Sequence, residues 1–217
     1  MQAPYAYGDH NLELLRSSIS AARLRRYLAL AHGDTAQALR LYMWNTALSE
    51  ALYGPLQGLE ITLRNKIHER LSEAFGARWY DAPALRLRHA QQEQIDRAKQ
   101  ALGFQGKPLE PERVVAELNF GFWVGLFGSK YENHLWRPHL RKVFVNAPAP
   151  FLRKQAHAAL DAIRLLRNRV AHHEPILQRR LPEEHRLILD SIGWLCTTTA
   201  AWVAHHSRFD RVHASRP

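Results

Sequence analysis

Apolar residues recur three and four positions apart along nearly the whole of this chain, and nowhere do they alternate with polar ones long enough to make a strand. A chain patterned this way buries its apolar stripes helix against helix, so the expected fold class is all-α, a helical bundle. Its 217 residues suffice for one sizeable core, and residues 1–217 are expected to form a single domain.

The caps and breakers divide the pattern. Asp9 is placed to cap a first helix carrying Leu12, Leu15, Ile19 and Ala22, which Gly33 ends. Asp34 caps a second, with Ala36, Leu39, Met43 and Ala47 in stripe, stopped by Gly54. Pro55 suits the first turn of a third, which runs to Phe75 with Leu56, Leu59, Leu63, Ile67, Leu71 and Ala74 on its core face. A loop over 76–83 leads to a polar helix over 84–102 with few apolar anchors. Residues 103–111 are the clearest break, a loop or a domain seam.

Pro111 opens a helix through Val114, Val115, Leu118, Phe122 and Leu126, in which Gly121 and Gly125 permit close helix approach. Ser129 and Glu132 fit a capping box for the next helix, which Pro138 should break. Residues 146–150 are a stiff linker. A strongly amphipathic helix follows, with Leu152, Ala156, Ala159, Leu160, Ile163, Leu166 and Val170 in stripe, bounded by Pro175. Pro182 starts the last helix, expected to carry Ile188, Ile192, Leu195 and Trp202 inward. The tail, 207–217, is expected to fray.

Several function classes are excluded. No window holds the roughly 18 apolar residues of a membrane span. The first ten residues lack the basic start and apolar run of a signal peptide. With Cys196 alone, no intramolecular disulfide is possible, so a soluble protein of the reducing cytoplasm is expected. There is no phosphate-binding P-loop, no Gly-rich dinucleotide turn and no nucleophile elbow, and no cofactor is expected. No Cys, carboxylate and His set with ligand spacing accompanies His205 and His206, so no metal is expected either. Cys196 reads as inert core. Several of the six Trp residues fall at stripe positions and read as core rather than as base-stacking platforms.

The net charge is +10, and arginine supplies most of it. Arginine offers a planar fork suited to phosphate, so the favoured partner is nucleic acid or an acidic partner. No short helix-turn-helix with a basic recognition helix stands out, which disfavours a DNA-binding regulator.

Chemistry, where there is any, centres on Arg167-Asn168-Arg169-Val170-Ala171-His172-His173, at the end of the amphipathic helix. This run resembles the signature of the HEPN superfamily of helical ribonucleases, an Arg followed a few residues later by a His. The wider chain, over roughly residues 34–205, is similar to the Abi-like branch associated with abortive infection. The likeness includes Leu59–His68 and the aromatic-glycine stretch Phe120–Gly128. The resemblance implies a metal-independent endoribonuclease acting in phage defence or as a toxin. It also implies a homodimer in which two motifs line one cleft, and an antitoxin or regulatory RNA is a possible partner.

The residue types suit that chemistry. RNA carries its own nucleophile, the 2′-hydroxyl. An imidazole can take that proton or give one to the departing 5′-oxygen, and a guanidinium can hold the phosphate. His172 and His173 both satisfy the spacing, and the resemblance favours His172 because the family often shows Ala-His in this frame. On one regular helix Arg167 and His172 diverge by about 140°. Either the helix loosens near His172 or the site is composite, and the resemblance implies the second.

Asn168 can orient the phosphate or the histidine, and Arg169 can add a phosphate contact. Glu60, Arg64 and His68 form one polar stripe at the border of a core face. The resemblance gives Glu60 and Arg64 a place near the site, and ordinary helix pairing accounts for them equally well. The competing reading is a noncatalytic helical module that uses the same basic cluster to hold RNA or a partner protein.

Overall fold

The computed structural model describes residues 5–217, and among them it is an all-α bundle of ten helices without a strand. The leader reading of the first ten residues therefore falls in part outside the described residues.

The molecule is built on α3 (Thr35–Phe75), 41 residues long and so about 60 Å from end to end. Asp34 caps it as expected, its Oδ1 accepting the Gln37 N–H at 2.9 Å. The expected break at Gly54-Pro55 does not occur, and the helix runs through both residues. Pro55 costs about 3 kcal/mol inside a helix. Ala51, Leu52, Pro55, Leu56 and Leu59 are all buried there, and that burial outweighs the lost hydrogen bond. The core face beyond is as expected for Leu56, Leu59, Leu63, Ile67 and Leu71, but Ala74 is exposed, and so is Met43 earlier in the helix.

Ahead of α3, the single helix expected from Asp9 is two, α1 (Asp9–Ile19) and α2 (Ala21–Leu30). Ser20 separates them with a φ of 78° and caps α2, its Oγ accepting the Arg23 N–H. Gly8, not Asp9, occupies the cap position of α1. Leu24 and Tyr27 of α2 pack on Ala38, Leu39 and Leu41 of α3 as a small satellite core.

The main core lies along the rest of α3. After short 3-10 turns at Trp79–Asp81 and Pro83–Leu85, α4 (His89–Phe104) buries the narrow edge Gln91, Ile95, Ala98 and Leu102. The following loop is exposed, yet buried residues on both sides of it belong to one cluster, from Leu48 to Phe209. The helix expected from Pro111 to Leu126 splits into α5 (Pro111–Glu117) and α6 (Phe120–Gly125). Asn119 restarts it, its Oδ1 accepting the Phe122 N–H at 3.0 Å. A Cβ at Gly125 would lie 2.6 Å from Nε2 at the free end of the Gln91 side chain, so that amide would have to shift.

The capping box expected at Ser129 does not form. Ser129–Tyr131 is a 3-10 turn followed by a single π-helical turn at Glu132–Trp136. Arg153 and Arg137 claim the Glu132 carboxylate instead and hold it below its ordinary titration range.

The amphipathic helix is α7 (Arg153–Ala171), which buries Ala156, Leu160, Ile163 and Leu166. The last expected helix is broken by Cys196, whose extended backbone separates α8 (Leu181–Leu195) from α9 (Thr197–His206). Cys196 thus ends a helix rather than lying inside one. The break turns Trp202 outward, 63% exposed, while Val203 packs so close to α3 that a Cβ on Gly58 would lie 2.8 Å from its Cγ2. The tail does not fray. Phe209 of α10 (Phe209–Ala214) is fully buried and stacks on His185, and Trp44 Nε1 donates to the Val212 carbonyl at 2.9 Å. One large aromatic ring suffices to hold so short a helix against the bundle. Among the described residues no helix is long and apolar enough to cross a membrane.

Candidate functional site

The buried stripe of α7 determines where its charged residues point. Leu166 faces the core, which leaves Arg167 at the border beside α3. Arg167 Nε lies 3.6 Å from Glu60 Oε2, within ion-pair reach and beyond a good hydrogen bond. Neither side chain is buried, so the pair contributes little to stability. Arg167 makes no hydrogen bond among the described residues, and its fork remains open to another anion.

The helix then ends in a defined way. His172 is the cap residue, with φ −93° and ψ 11°. His173 follows with a φ of 55°, in the left-handed region. The His173 N–H donates to the Val170 carbonyl at 3.1 Å, and the Glu174 N–H donates to the Arg169 carbonyl at 2.8 Å. This is a Schellman ending, in which the left-handed position is usually glycine. A histidine there carries a backbone cost of order 1 kcal/mol, which concentrates at functional positions. Beyond it, Ile176 is fully buried and its N–H donates to Oδ1 of buried Asn45 at 2.8 Å, tying the loop back to α3.

These turns bring part of the expected set around one open groove of about 800 Å³ between α3, the end of α7 and the start of α10. Glu60 and Arg64 line it from α3, Arg167 from α7, His173 from the turn that ends α7, and Arg208 from the segment before α10. Three arginines, one histidine and two glutamates, Glu50 and Glu60, thus line it; Arg167 pairs with Glu60, while the Arg64 Nε–H donates to Asn65 Oδ1 at 3.2 Å. A volume of this size is in the range of small-ligand sites.

The other expected residues lie elsewhere. His172 is exposed and does not line the groove. Asn168 is half-buried and supplies the carbonyl that accepts the His172 N–H. Arg169 sits on the opposite side of α7, paired with Glu174 at 3.3 Å and donating to the Pro175 carbonyl. His68 leaves the polar stripe: Trp79 Nε1–H donates to its Nδ1 at 2.9 Å, and burial pushes its pKa down. It is a packing residue that satisfies a buried indole.

Sequence reasoning missed Tyr53, Ile61 and Arg208. Tyr53 lies seven residues before Glu60 and eleven before Arg64, on one helical face with them, so extending the stripe backward would have found it. Arg208 gave no local signal, because it enters only through the packing of the tail. No three His, Cys, Asp or Glu side chains among the described residues converge as a metal site. No family model matches the chain, and no curated protein or solved structure matches it either.

Proposed function

We propose that the chain is a metal-independent endoribonuclease of the HEPN type, with His173 rather than His172 as the acid–base residue. The observation that carries this reading is the convergence of Arg167 and a left-handed His173 on one groove rimmed by Arg64 and Arg208. The arginines hold the phosphate. His173 takes the proton of the 2′-hydroxyl, whose oxygen forms a bond to phosphorus as the bond to the 5′-oxygen breaks. The departing oxygen takes a proton from a second His173 where two chains face one another, or from water. The products are a 2′,3′-cyclic phosphate and a 5′-hydroxyl, with no water consumed. Arg167 stabilises the charge that develops on the phosphate oxygens.

On this reading the protein works in the cytoplasm as a homodimer, in phage defence or as a growth-arresting toxin. An antitoxin or regulatory RNA then has the task of covering the groove. The test is cleavage of labelled RNA in metal-free buffer by the wild type and by His172→Ala, His173→Ala and Arg167→Ala. Loss of a general acid–base group lowers the rate by about 10²–10⁴-fold. The expected result is such a loss for His173→Ala and Arg167→Ala and near-wild-type cleavage for His172→Ala. Tight RNA binding with no product under any condition replaces the nuclease with a binding module on the same arginines.

A further inference from the structure

The groove has an apolar half that phosphate chemistry does not use. Tyr53 is 63% exposed and Ile61 39% exposed, both on the α3 face that carries Glu60 and Arg64. Val170 and Ala171 form the opposite wall, next to His173. An aromatic ring left open to solvent in a groove that Arg64, Arg167 and Arg208 also line, with Glu50 and Glu60 among them, has the parts of a single-strand site, where a basic track follows the backbone and aromatic faces stack the bases. Tyr53 lies seven residues before Glu60, about 10 Å along the helix axis. That places the ring within reach of the base carried by a nucleotide next to a phosphate at Arg167.

We infer that Tyr53 is the floor of a nucleobase subsite, so that the substrate is a single-stranded RNA with one base turned into the groove. This rests on the nuclease reading for the identity of the polymer. Every base has a π-face, and the stacking therefore tolerates any base. Duplex RNA, whose bases stay stacked on one another, cannot fill the subsite.

The experiment uses a probe that cannot be cleaved, so that its outcome is separate from that of the nuclease reading. A short single-stranded 2′-deoxy oligonucleotide carrying 2-aminopurine is titrated with the full chain, and its fluorescence and anisotropy are followed. Stacking of one base corresponds to a change of about 10-fold in affinity. Tyr53→Ala should weaken binding by about that factor and abolish the fluorescence change, Tyr53→Phe should retain both, and an abasic probe should bind wild type as weakly as the intact probe binds Tyr53→Ala. Tyr53 is largely exposed, so its removal leaves the fold intact. Unchanged affinity and fluorescence with Tyr53→Ala, or equal affinity for the abasic probe, overturns the inference whether or not the chain cleaves RNA.

Discussion

His173→Gly should stabilise the protein while destroying its activity. A left-handed backbone costs an L-residue about 1–2 kcal/mol, and His173 sits there with a φ of 55°. Glycine removes that cost and adds about 0.5–1 kcal/mol through the greater freedom of the unfolded chain. The side chain is exposed, so few contacts are lost. The balance is a gain of about 0.7 kcal/mol, which for a chain of this size raises Tm by about 1.5–3 °C. His173→Ala removes the same imidazole and keeps the strain, so its Tm should stay close to wild type. Calorimetry on the three proteins, with RNA cleavage measured on the same preparations, separates the two effects. A lower Tm for His173→Gly than for His173→Ala refutes the backbone argument, and retained cleavage in either variant refutes the chemical one.

Asn45→Ala leaves the buried Ile176 N–H without its acceptor and should cost about 2 kcal/mol, seen as a Tm lower by about 4–8 °C; no change means water replaces the side chain. Phe209→Ala should cost about 3–5 kcal/mol, since its ring is fully buried, whereas a Tm equal to wild type contradicts the docked tail. Burial holds the imidazoles of His68, His139 and His185 below their ordinary 6.5, so as pH falls the unfolded chain takes up protons first. Stability is complete above that value and declines as pH drops through the folded-state values; a Tm that rises on acidification from about pH 7 to about pH 5 contradicts it. Mixing Arg167→Ala chains with His173→Ala chains should restore cleavage only if each site takes its arginine from one chain and its histidine from the other. No recovery in a mixed dimer fits either a complete pair in each chain or a site that needs His173 of both chains, and a dimer of wild-type with His173→Ala chains separates them: about half the wild-type activity means independent sites, near-complete loss means a shared one.

The helices were legible wherever one apolar stripe decided them. The Asp34 cap and the α7 stripe from Ala156 to Leu166 needed no tertiary information, whereas Leu152, expected to begin that stripe, is the exposed cap residue. The errors fall at joints, and each has a physical cause. Gly54-Pro55 carries a strong local stop signal, yet Leu52, Leu56 and Leu59 are fully or nearly fully buried around it, so packing overrides propensity. At Ser20, Asn119 and Cys196 the periodicity runs on while the backbone breaks. Periodicity reads which side of the chain is apolar and is silent about a one-residue change of direction. Trp202 shows the consequence: past the break at Cys196, a stripe continued from α8 points it inward, and the structure turns it outward.

The site was half legible for a related reason. Residue identity and spacing picked out Glu60, Arg64, Arg167 and the His pair, all near one helix crossing. Choosing between the two histidines depended on the helix end, which spacing alone does not give. Extrapolated as regular helix, Arg167 and His172 diverge by about 140°, which leaves a loosened helix end or a second chain as the two ways to complete a site. The helix instead stops at Ala171, and the left-handed turn at His173 returns the next imidazole to the Arg167 side. One chain therefore carries an arginine and a histidine to the same groove. The work left for a second chain is different: cleavage through the 2′-hydroxyl needs a base and an acid, and one groove offers a single imidazole. A dimer that placed two His173 residues across one phosphate would supply both, so the case for pairing rests on proton count rather than on helix geometry.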